Sequence, residues 1–92
     1  MPDKTLIFTD YLKYRAKLRG FNLERIEYIV RFSSERYIDE DSCRFVVIGD
    51  HNNKLVIIPY EESETSLTPI TIHSITRQQI KFRLKTGRLC YE

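Results

Sequence analysis

At Arg36 the hydrophobic period of this chain changes, and that change limits the folds open to it. Before it, apolar residues recur three and four apart, as on one face of a helix. After it, β-branched residues crowd into short runs bounded by turn-forming residues, as in strands. Helices followed by strands, without regular alternation, indicate an α+β domain.

The helical part divides in two. A brief strand, "KTLIFT", precedes a helix over Asp10 to Arg19, with Tyr11, Tyr14 and Leu18 as its apolar stripe and Gly20 as its stop. Asn22 caps a second helix from Leu23 to Phe32, with Leu23, Ile26 and Val30 facing inward. Phe21 and Ile26 stand where a hydrophobic staple needs them. So short a connection makes an αα-hairpin.

In the strand part, "RYID" is short, while "CRFVVIG" and "KLVIIPY" flank "DHNN", a good hairpin turn in which His51 reads as a turn residue. "SLTPITIHS" reads as a third long strand, at the start or edge of which Pro69 must lie. Residues 76 to 86 are ambiguous. Ile80, Phe82 and Leu84 alternate as in a strand, yet Thr76 and Gln79 form a capping box, Ile75 and Ile80 a staple, and Gly87 a left-handed stop. The helix explains more, and we assign Arg77 to Thr86 to it. Phe82 then falls off the buried stripe of Ile80 and Leu84 and needs a partner, for which the αα-hairpin is the candidate. "RLCYE" is a short last strand or a tail. The expected architecture is one domain over residues 1–92: an αα-hairpin on a three- to four-stranded, mainly antiparallel sheet, with a basic C-terminal helix.

Charge is segregated although the net is only +2. Lys13, Arg15, Lys17, Arg19 and Arg25 crowd the first helices, and Arg77, Lys81, Arg83, Lys85 and Arg88 the last, while acids cluster at 39–41 and 61–64. Such poles suit an anionic partner on one face, or simply a solvated surface. Two cysteines without metal-ligand spacing read as reduced thiols in a cytoplasmic protein. No leader and no membrane-length apolar run is expected, and no cofactor or metal motif is visible.

The residues that carry chemistry are those a phosphate would meet. His73 ends a strand just before the Arg77 helix, whose N-terminus adds backbone donors. Arg77 can grip a phosphate with two N–H groups. Arg77, Lys81, Lys85 and Arg88 fall at helical spacing as a basic ridge. On the first helix Arg15 and Arg19 are phosphate clamps or structural ion-pair partners, with Tyr11 a stacking or proton-donating group. Arg36, in "SSERYID", reads chiefly as a turn lock that can still reach a phosphate.

"FTDYLKYRAKLRGF" resembles the opening of BrnT-like and related RelE-superfamily toxins, T-x-H-x-x-x-R-x-x-x-R-G, with Thr9, Arg15, Arg19 and Gly20 in place and Tyr11 where the histidine stands. "CRFVVIG", "LVIIPY" and "PITIHSITRQQ" continue in the same order, and "LRGF", "SSERY", "IPYE" and "TRQQI" are similar to stretches of short cyanobacterial proteins. The Ser-Ala-Arg of BrnT-like chains reads His73, Ser74, Ile75 here, so Arg77 takes the arginine's role from two residues on. The resemblance implies a RelE-like fold and a type II toxin that cleaves RNA and is silenced by an antitoxin. The function expected is thus a metal-independent endoribonuclease, with His73, Arg77, Arg83 and Tyr11 catalytic and Arg15, Arg19, Arg36, Lys81, Lys85 and Arg88 on the RNA. The rival readings are a non-catalytic RNA- or protein-binding module and a homo-oligomer joined through sheet edges.

Overall fold

A computed structural model describes residues 4–92. In chain order the elements are β1 (Thr5–Leu6), α1 (Asp10–Arg19), α2 (Leu23–Phe32), β2 (Glu35–Asp39), β3 (Arg44–His51), β4 (Lys54–Glu62), β5 (Ser66–Pro69), β6 (His73–Ser74), α3 (Arg77–Thr86) and β7 (Leu89–Tyr91). All three helices begin and end where their caps dictate. The Thr9 hydroxyl accepts from Leu12 N at 3.1 Å, and the Asn22 side chain from Arg25 N at 3.1 Å. Thr76 and Gln79 complete both halves of the capping box, at 3.1 and 3.0 Å. Gly20 and Gly87 stop α1 and α3 at φ +75° and +83°, a region in which a Cβ is strained.

The protein is α+β, but among the described residues its sheet has seven strands rather than three or four, in the order β1-β5-β4-β3-β2-β7, with β6 also paired to β4. Only β1 and β5 run parallel. Of the short pieces, β1 lies in "KTLIFT" and β7 in "RLCYE", while β6 is a fragment of the expected third strand. The β3–β4 hairpin turns on Asn52 and Asn53, both at positive φ, as a tight two-residue turn requires.

The sheet is covered on both faces, which is why β3 and β4 read as continuous apolar runs. The αα-hairpin covers one face, burying Leu12, Ala16, Ile26, Ile29 and Val30 against Val47, Val56, Ile58 and Tyr60. On the other, α3 buries Ile80 with Val46, Ile48, Ile57 and Leu89. Helix α2 approaches β3 so closely that a Cβ on Gly49 would come 2.8 Å from Ile29 Cγ1. The stripe expected for α1 is inverted: Tyr11, Tyr14 and Leu18 are exposed, and Leu12 and Ala16 are buried.

The expected third long strand is broken into β5 and β6, and Pro59 explains the break. Its carbonyl accepts from Ile70 N at 2.8 Å. In an extended strand a residue's N and O point to the same side, so Pro59 turns its missing donor toward the same neighbour. The ladder cannot continue there. It resumes at Ile57↔His73 and Val56↔Ser74.

Candidate anion-binding cleft

The break in the ladder lies along one side of a cleft of about 420 Å³ on the α3 face of the sheet. Ile57 and Pro59 of β4, Ile70 and Thr71 of the interrupted segment, and His73 of β6 line it. Arg83 of α3, Arg88 beyond its C-cap, and Arg44 and Asp39 at the ends of β3 and β2 also line it. His73 shares a face with its cross-strand partner Ile57, in the α3-side core, so register alone turns the imidazole toward this side.

His73 is held below the ordinary histidine pKa, first by burial and then by the positive charges of Arg19, Arg15 and Arg83. The imidazole is therefore largely neutral near neutral pH and set among cations. Among the described residues, Arg15, Arg19 and Arg83 form no ion pair. Among the described residues, Arg15 Nε and Thr71 Oγ1 are buried without a hydrogen-bond partner, and of the two Thr71 lines the cleft. Buried donors without an acceptor are costly, and an anion's oxygens would satisfy them. Arg88 contributes less positive potential, because Asp39 and Asp41 face it at 3.5 and 3.9 Å.

The other predicted site residues stand elsewhere. Arg77 donates to Glu35 at 2.6 Å, and the Tyr37 hydroxyl donates to the same carboxylate oxygen at 2.7 Å. Arg77 is thus tied to β2, and its charge is not among those that depress His73. Burial alone would raise the Glu35 carboxyl, but the bonds from Arg77 and Tyr37 outweigh it and hold the group below its usual range. Burial, then Glu35, pushes the Tyr37 hydroxyl up to about 12. Arg36 is a clamp inside the fold, donating to Ser33 O, Tyr60 Oη and Val30 O at 3.0, 3.1 and 2.6 Å. Tyr11 is exposed on α1, its ring centroid 5.9 Å from the Arg15 guanidinium. Lys81 and Lys85 are exposed on α3. The expected ridge is therefore divided, and Arg83, one position off it, supplies the helix's charge to the cleft.

Three features had no obvious sequence signal. Thr71 and Arg44 line the cleft only because of sheet register. His51 is no mere turn residue: it ends β3, is 3% exposed, and its Nε2 accepts from Asn22 N at 2.8 Å while its ring packs edge-on against Phe21. Pro59 did carry a signal, since a proline inside an apolar strand marks an interrupted ladder.

Among the described residues no three His, Cys, Asp or Glu side chains gather as a metal site, and no helix is long and apolar enough to cross a membrane. No family model, curated protein or solved structure matches this chain.

Proposed function

We propose that the protein binds RNA through its phosphodiester backbone and cleaves it at the His73 cleft without needing a metal. The observation that carries this reading is the cleft itself, in which His73 lies with Arg83, a guanidinium that has no carboxylate partner among the described residues, while burial and the charges of Arg19, Arg15 and Arg83 favour the neutral ring. Neutral His73 takes the proton of a ribose 2′-hydroxyl. The freed oxygen attacks phosphorus, and the bond to the 5′-oxygen breaks. Arg83 in the cleft wall balances the charge that gathers on the crowded phosphate, the charges of Arg15 and Arg19 reinforce it from outside the cleft lining, and solvent water protonates the departing oxygen. The products are a 2′,3′-cyclic phosphate and a 5′-hydroxyl. Following the BrnT-like and RelE-like resemblance, such a nuclease would be a toxin held in check by an antitoxin.

A single imidazole in the cleft favours a second reading, an RNA-binding module without cleavage. One experiment separates the two. Purified protein is incubated with RNA in excess chelator, and product ends are analysed. Cyclic phosphate termini, lost in His73→Ala and Arg83→Ala but kept in Arg77→Ala, support the nuclease. Salt-sensitive affinity without cleavage supports the module. Cleavage unaffected by His73→Ala removes the proposed centre.

A further inference from the structure

Among the described residues, Phe82 has no aromatic partner. It is 65% exposed on α3, and the αα-hairpin expected to cover it lies on the opposite face of the sheet. With Gln78, Gln79, Thr86, Arg83 and Arg88 it lines a shallow hollow of about 490 Å³. The last two residues also line the His73 cleft, so the two depressions share a wall of guanidinium groups. Helix α3 holds Arg77, Lys81, Arg83 and Lys85 and no acid. An exposed aromatic face beside phosphate-binding cations is what an unpaired nucleotide requires: the ring takes the base and the cations take the backbone. A base already stacked inside a duplex cannot offer its face. Gln79 accepts from Thr76 N through its Oε1, so its carbonyl is committed to the cap. Gln78 has no such role and is the amide placed to meet a base edge.

We infer that Phe82 is a stacking platform for an unpaired base, which makes single-stranded RNA, rather than duplex, the ligand of the adjoining cleft. The inference rests on the phosphate-binding reading of that cleft. It is tested by fluorescence anisotropy with 2′-O-methylated oligonucleotides, which cannot be cut, in three forms: single-stranded, duplex, and single-stranded with abasic sites. Wild type should prefer the single strand to the duplex. Phe82→Ala should weaken single-strand binding about 5- to 100-fold, Phe82→Tyr should retain most of it, and affinity for the abasic strand should not change. Equal single-strand affinity of Phe82→Ala and wild type, with Arg83→Ala defective, overturns the platform and leaves the cleft reading standing. Absence of binding by wild type overturns both. A concentration-dependent mass in sedimentation that Phe82→Ala abolishes assigns the face to a second copy of the chain and overturns the proposal.

Discussion

Glu35 shows how one carboxylate fixes two elements. It holds the first residue of α3 through Arg77 and the middle of β2 through Tyr37. Because its folded pKa lies below the usual value, the stability it contributes is present above the unfolded pKa and lost as pH falls through the folded one. Glu35→Gln should therefore lower stability near neutral pH by about 0.5–1 kcal/mol, a modest figure because Arg77 is more than half exposed, and should remove part of the loss on acidification. Urea unfolding at neutral and acidic pH checks both. Gly49 and His51 are stricter. Gly49→Ala forces Ile29 or the α2 backbone to move and should cost about 1–3 kcal/mol by the same measurement. Neither requirement was legible in the sequence. His51 meets a backbone N–H 29 residues away, and Gly49 is constrained by a helix that packs on it only after the chain has folded.

At the scale of elements, local chemistry was readable and facing was not. Caps and stops lie within a few residues of one another, so the starts of α2 and α3 follow from Asn22 and Thr76, and the stops of α1 and α3 from Gly20 and Gly87. The buried side of α1 is set by what it packs against. Two tyrosines and a leucine outrank Leu12 and Ala16 in apolar bulk, yet Leu12 and Ala16 are the pair that joins the hairpin-side core with Phe21, Leu67 and Ile72. Leu12→Ala should consequently cost about 2–5 kcal/mol, whereas Tyr14→Ser should stay within about 0.5 kcal/mol. Comparable losses in a denaturant series would mean that the stripe is buried after all. The same distinction applies to the cleft. The basic residues of α3 were legible as a group, but it takes sheet register and the Pro59 interruption to make Arg83 rather than Arg77 the one that meets His73.

At the scale of the molecule, the arginines and Lys4 among the described residues divide by whether they have a carboxylate. Lys4, Arg31, Arg44, Arg77 and Arg88 are paired; the Arg31 pair lies within α2, and the others join separate segments. Arg15, Arg19 and Arg83, from helices on opposite faces of the sheet, converge in charge on one imidazole. The cost of that arrangement falls on His73, the protonated form of which is disfavoured in the folded state. Protonating it therefore reduces stability as pH falls from the unfolded pKa through the depressed folded one. A bound phosphate reverses the local field and draws a proton onto the ring. Binding of an uncleavable single-stranded oligonucleotide should accordingly strengthen as pH falls toward the depressed pKa of His73 in the free protein, with net proton uptake. Cleavage, which uses the neutral ring, should slow over the same range. Opposite pH trends for affinity and rate, both flattened in His73→Asn, are the expected outcome of titrations in buffers of equal ionic strength. Parallel trends would mean that the group governing binding is not the one that takes the 2′-hydroxyl proton, and His73 would keep at most an electrostatic role.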